Sequence, residues 1–156
     1  MTINIRGLKE SDSDQIVELT KSEHNESYYN FLTFSEDKVR ALVKTTIAMP
    51  DGTICYVAEE HGKIIGFICG YLIMYISTND FFTQDLTIYV TPDKRGTLAA
   101  KKLIKYLECW AEMKGCKELA LSITSNINTE RTGKFYKLLG FSDVGRIYRK
   151  QLTKEK

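Results

Sequence analysis

The chain has 156 residues, 43% of them apolar, and 22 Lys and Arg against 20 Asp and Glu give it a formal charge of +2. That length fits one domain with a core that stands without disulfides or metal, and the near-neutral charge argues against nucleic-acid binding. Four cysteines without a CxxC pair and two histidines without ligand spacing argue against structural zinc.

No metal is therefore expected. Cys55, Cys69, Cys109 and Cys116 read as buried free thiols in a reducing, cytoplasmic setting. MTINIRGLKESD has no apolar h-region, so no signal peptide is expected, and the apolar runs are too short to span a bilayer. No linker or repeat divides the chain. One domain is expected over 1–152, with a frayed tail at 153–156.

Ile3 and Ile5 alternate and predict a first strand. Ser11 or Asp12 then caps a helix to about Ser22, with Ile16 and Leu19 inward. Residues 23–34, EHNESYYNFLTF, lack a clean period and read as an irregular connection. Their His24, Glu26, Tyr28 and Tyr29 either line a ligand groove or pin the loop to the core. Ser35 caps a second helix with Val39, Leu42 and Val43 on its apolar face.

TICYVAEE at 53–60 predicts a strand, His61-Gly62 a tight turn, and Lys63 to Ile76 a long return strand. Ile54, Tyr56 and Ala58 share one face, Cys55, Val57 and Glu59 the other. Gly66 and Gly70 mark a bulge or a close backbone approach.

The central stretch is 84–104, QDLTIYVTPDKRGTLAAKKLI. Leu86, Ile88 and Val90 alternate with Asp85, Thr87 and Tyr89, a strand that Pro92 ends. Ala99, Leu103, Leu107 and Trp110 then repeat with helical spacing. DKRGT between them is either a solvated turn or an anion site, where helix N–H groups and the dipole meet Lys94 and Arg95. Gly115 stops the helix, ELALSIT at 118–124 predicts a fifth strand, Asn128 or Thr129 caps a helix to about Leu139, and VGRIYRKQL at 144–152 predicts a last strand. The sum is an α/β domain whose mixed central sheet is flanked by helices.

DKRGTLAA at the long helix and FYKLLGF about forty residues later together resemble the GNAT superfamily of acetyl-CoA-dependent N-acetyltransferases. The family's pyrophosphate signature is Arg or Gln, two residues, Gly, one residue, then Gly or Ala. It falls here on Arg95, Gly96, Thr97, Leu98, Ala99 and Ala100, with Leu98 where glycine is usual. Without glycine's room for close approach, Leu98 is expected to narrow the cofactor site.

The resemblance implies that Tyr136 protonates the departing thiolate. It also implies that backbone near Tyr89 or Val90 polarises the thioester, where strands 84–91 and 118–124 splay apart, and that Asn128 touches the cofactor. Asp85 is the candidate base, with Glu26, His24 and Tyr28 as alternatives. The function implied is acetyl transfer from acetyl-CoA to a primary amine of a small molecule or protein. The other reading is a weak or inactive relative that binds protein or acyl-CoA. No nucleic-acid or membrane partner is expected, and a homodimer is left open.

Overall fold

The computed structural model describes residues 2–152, so the predicted tail at 153–156 lies outside the described residues. The elements in chain order are β1 (Asn4–Gly7), α1 (Ser13–Glu26), α2 (Glu36–Ala48), β2 (Thr53–Glu60), β3 (Lys63–Met74), β4 (Phe81–Val90), α3 (Ala99–Met113), β5 (Leu119–Ala120) and α4 (Thr129–Leu138). The strands form one sheet in the order β1-β2-β3-β4-β5, antiparallel except for the parallel β4–β5 pair. This is the expected mixed sheet flanked by helices.

Each face of the sheet has its own core. Ile16 and Leu19 of α1 and Val43 of α2 pack with Cys55, Val57, Ile64, Phe67 and Tyr89. On the opposite face Ala99, Leu103, Leu107 and Trp110 of α3 cover Ala58, Ile65, Ile68 and Val90, and Tyr136 of α4 joins them. The alternation predicted along β2 therefore sorts its residues to the correct cores. The His61-Gly62 turn forms with φ of 51° and 76°, and Ser35 caps α2 by accepting from the Lys38 N–H at 3.3 Å. Gly66 and Gly70 are close approaches: a Cβ at Gly66 would lie 2.7 Å from the Tyr89 carbonyl oxygen, and one at Gly70 would lie 2.7 Å from Leu107 Cδ1. Among the described residues, no helix is long and apolar enough to cross a membrane.

Several expectations are corrected. Helix α1 runs to Glu26 instead of stopping near Ser22, so His24 and Glu26 lie on its last turn and the irregular connection begins at Ser27. Asp12 stands at the N-cap of α1 without capping it. Its carboxylate is committed to Arg6 Nη1 at 2.8 Å and to the Lys9 N–H at 2.8 Å.

The fifth strand pairs only at Leu119 and Ala120, short of the predicted 118–124. The predicted strand at 144–152 does not form. A strand needs a partner edge, and the ladder at the end of the sheet is two residues long. Val144, Tyr148 and Leu152 consequently stay 93%, 86% and 88% exposed. Arg149 lies over the Tyr29 ring instead, 5.5 Å from its centroid.

Candidate active site

The site begins where β5 leaves β4. Thr83 pairs with Leu119 and Gln84 with Ala120, and then the ladder ends. In place of the next backbone acceptor stands a side chain. Asp85 Oδ1 accepts from the Ser122 N–H at 2.9 Å and from the Ser122 hydroxyl at 3.2 Å. Gln84 Nε2 donates to the same oxygen at 2.8 Å. The loop beyond β5 is held elsewhere, with the Ser125 carbonyl accepting from the Tyr28 N–H at 2.7 Å.

A bulge sits at the same place. Asp85 pairs with Gly70 and Thr87 with Cys69, leaving Leu86 unpaired and 58% exposed. One extra residue reverses the side-chain parity beyond it. Asp85 therefore shares the α3 face with Ile88, a correction to simple alternation, which puts them on opposite faces. Thr87 and Tyr89 turn to the α1 face.

The backbone at the end of β4 is freed by the same departure. The Thr91 N–H donates to Ile65 on β3 at 2.9 Å, so the polar groups of Val90, one residue earlier, point to the opposite edge where β5 is missing. Arg95 Nε takes the Val90 carbonyl at 3.0 Å, leaving the Val90 N–H aimed into the gap.

The gap opens into a cleft of about 910 Å³ running from the turn before α3 to the last turn of α1. At one end Gly96, with a φ of 84°, lets the chain double back before α3 with its backbone exposed. The first-turn N–H groups of α3 begin there, as an anion site requires. A Cβ at Gly96 would lie 3.5 Å from Arg131 Nη2, so that guanidinium leans over the turn from α4.

Three titratable groups line the deeper part of the cleft. Burial pushes the Asp85 carboxyl up to about 6, against the hydrogen bonds from Gln84 and Ser122. Burial also pushes Glu23 up to about 7, while the Thr87 hydroxyl, which donates to it, pulls the other way and the charge of Asp85 adds to the rise. Tyr136 is 7% exposed, and burial followed by the Asp85 charge holds its phenol well above the ordinary range. Its hydroxyl makes a long contact of 3.5 Å to the Ser122 carbonyl. Ser122 thus touches both Asp85 and Tyr136.

Of the residues singled out in the sequence, Asp85, Tyr89, Val90, Lys94, Arg95, Gly96, Thr97, Ala100, Asn128 and Tyr136 all line this cleft. Leu98 and Ala99 do not. Leu98 is 60% exposed and points away from the cleft, so it does not narrow it. Ala99 is fully buried under the sheet, and its N–H donates to Thr97 Oγ1 at 3.3 Å.

The two basic side chains of the turn are already engaged. Lys94 pairs with Glu60, and Arg95 holds both oxygens of Glu26, with Nη2–Oε2 at 2.7 Å. That pairing keeps the Glu26 carboxyl below its usual range. Of the alternative bases named from sequence, Glu26 is thus occupied, and His24 Nε2 is bonded to the Leu32 carbonyl at 2.8 Å.

Two residues were missed. Glu23 lies four residues after Leu19 and seven after Ile16, on the stripe that α1 buries, and a carboxylate on an apolar stripe was the available signal. Arg131 carries no such signal, because only the docking of α4 brings it beside a turn 35 positions earlier.

A family model described as an acetyltransferase (GNAT) domain matches residues 51–143. A comparison with curated proteins gave no significant match. Three solved structures share the fold at low identity. The aminoglycoside acetyltransferase AAC(6')-Iy, in complex with a bisubstrate analogue, superposes with a TM-score of 0.79 at 22% identity, covering 97% of this chain and 99% of that one. Glucosamine-6-phosphate N-acetyltransferase from Arabidopsis thaliana gives 0.78 at 18%, covering 98% and 100%. Ribosomal-protein-alanine N-acetyltransferase from Brucella melitensis gives 0.76 at 21%, covering 97% and 100%. With the fold, the motif positions and the family match in agreement, the chain belongs to the GNAT superfamily of acetyl-CoA-dependent acetyltransferases.

Proposed function

We propose that the chain moves the acetyl group of acetyl-CoA to a primary amine by direct attack within this cleft. One observation carries the reading. The departure of β5 from β4 places a freed Val90 N–H, a buried phenol, one buried and one half-buried carboxyl and an open helix N-terminus along one cavity.

The residues fit the acyl donor. The turn at Gly96 and the start of α3 suit its pyrophosphate, with Arg131 alongside and Asn128 at the neighbouring wall. The pantetheine arm suits the gap between β4 and residues 121–124, where it can take strand hydrogen bonds that β5 gives up. The Val90 N–H is the donor for the oxygen charge that develops at the thioester carbonyl.

Tyr136 is the acid that meets the departing sulfur. A phenol held protonated by burial keeps its proton until a thiolate forms beside it. The amine must be neutral to attack, and Asp85 and Glu23 are the groups placed to take its proton. Asp85 spends one oxygen on three hydrogen bonds, whereas Glu23 is held by Thr87 alone. Two carboxyls in the cleft favour an acceptor that arrives as a cation. The relatives' acceptors, which include an aminoglycoside and a sugar phosphate amine, agree with an amine but differ among themselves.

The test is a panel of amines assayed by thiol release, with acetyl-CoA binding measured in parallel. Release with at least one amine is expected, and Tyr136→Phe should lower turnover while leaving acetyl-CoA affinity largely intact. Acetyl-CoA binding without release across sugar, polyamine and peptide amines would favour the binding-module reading. A wild-type rate in Tyr136→Phe across the working pH range removes Tyr136 from the chemistry.

A further inference from the structure

Two of the four thiols are neighbours. Cys55 on β2 and Cys69 on β3 stand opposite each other in the antiparallel register, with their sulfurs 2.9 Å apart. The pairing type favours that approach. The Cys55 carbonyl accepts from the Leu8 N–H at 2.9 Å, on the β1 side, so the backbone groups of Cys55 turn away from β3. Cys55–Cys69 is therefore a non-hydrogen-bonded pair, the closer of the two antiparallel kinds, with Cα atoms about 4.5 Å apart. Both side chains enter the core beneath α1.

We propose that Cys55 and Cys69 are an oxidation site that closes as a cross-strand disulfide when the protein meets a hydroperoxide. The two sulfurs differ in what they can do. Cys55 is 2% exposed, and its neighbour thiol and burial hold it firmly as a thiol. Cys69 is only partly buried, so the oxidant meets it first.

The Cys69 thiolate attacks one peroxide oxygen, the O–O bond breaks, and the leaving hydroxide takes a proton to become water. Cys69 is then a sulfenic acid. The Cys55 sulfur, giving up its proton, attacks the Cys69 sulfur and expels the hydroxyl as a second water. Two thiols and one hydrogen peroxide become one disulfide and two waters, and an added dithiol reverses the change. The bond would form one strand from the active cleft, because Cys69 faces Thr87, whose hydroxyl holds Glu23.

The experiment uses the whole chain carrying Cys109→Ser, which removes the exposed thiol. The protein is treated with hydrogen peroxide, unfolded in an alkylating agent, digested and weighed. The expected product is one linked species containing Cys55 and Cys69, lighter by two hydrogens and separated by dithiothreitol. In Cys55→Ser, Cys69 should instead stop as a sulfenic acid that a cyclic dione traps. Should that variant fail to fold, Cys69→Ser provides the second reading, and its Cys55 should remain fully alkylatable after unfolding. Cys69 oxidised beyond sulfenic acid in the parent chain, with Cys55 still free, overturns the proposal. So does peroxide reacting with Cys55 in Cys69→Ser.

Discussion

Replacing Glu23 by Gln should make the protein more stable and less active at the same pH. The carboxyl ordinarily titrates near 4.5 and is pushed up to about 7 by burial and the charge of Asp85. Between those values the folded protein keeps a proton that the unfolded chain has released. Stability therefore falls as pH rises through this window. At 1.36 kcal/mol per pH unit, the rise from 4.5 to about 7 amounts to about 3 kcal/mol lost by pH 8. Asp85, pushed from 3.8 to about 6, adds a loss of the same sign, and its charge contributes to the rise at Glu23. The amide introduced by Glu23→Gln can still accept from Thr87 and carries no charge. Urea unfolding at pH 5, 6.5 and 8 should show Glu23→Gln close to wild type at pH 5 and more stable by about 2 to 3 kcal/mol at pH 8. On the reading of Glu23 as a base, the wild-type kcat/KM climbs about tenfold per pH unit below about 7, and the variant loses about a hundredfold at the plateau. A stability difference that stays constant from pH 5 to 8 would refute the burial argument, whatever the activity does.

The remaining predictions concern the cofactor end and the frame. Arg131→Ala should raise the acetyl-CoA KM more than Arg95→Ala, because Arg95 is held by Glu26 while Arg131 leans over the Gly96 turn. The reverse order in steady-state assays would return the anion site to Arg95. Gly66→Ala should destabilise more than Gly70→Ala. The first Cβ meets the fixed Tyr89 carbonyl, and the second meets Leu107 Cδ1, which a rotamer change can withdraw at a cost of about 1 to 3 kcal/mol. Equal losses on chemical unfolding would count against the rigid approach at Gly66. Arg6→Met should cost about 3 kcal/mol at neutral pH, since it strands the buried Asp12 carboxylate beside Glu59. The Arg6 pair holds the Asp12 carboxyl below 3.8, so that stabilisation is present above the unfolded value and is lost as pH falls through the folded one. The penalty should shrink in acid, and a penalty independent of pH would oppose the pairing.

The turn end of the cleft was legible because it rests on local chemistry. Strand, Pro92, Gly96 and the α3 stripe are contiguous, and each acts within a few residues of itself. The end lined by α1 depends on meetings that no window contains. Glu23 meets Thr87 across 64 residues, and Arg95 meets Glu26 across 69. The last strand failed for a related reason: a strand needs an edge, and β5 pairs with β4 only at Leu119 and Ala120. Leu98 shows the opposite limit. A motif column predicts a side chain's identity, and the local backbone decides which way it points.

That role of Asp85 ties the fold irregularity to the chemistry. A straight β4 paired to its end with β5 would satisfy Val90 and Ser122 with backbone partners and leave no gap. Leu86 bulges out, Asp85 swings to the α3 face, and its carboxylate takes the Ser122 N–H that a ladder would have used. One substitution of backbone acceptor by side chain thus parts the strands and brings a buried carboxyl beside Ser122, which Tyr136 also touches. Burying an acid there raises its proton affinity, which costs stability at neutral pH and suits proton transfer. On the proposed mechanism, the sheet gives up ladder hydrogen bonds at the place where the reaction needs unpaired donors, and the helices on both faces supply the burial around the opening.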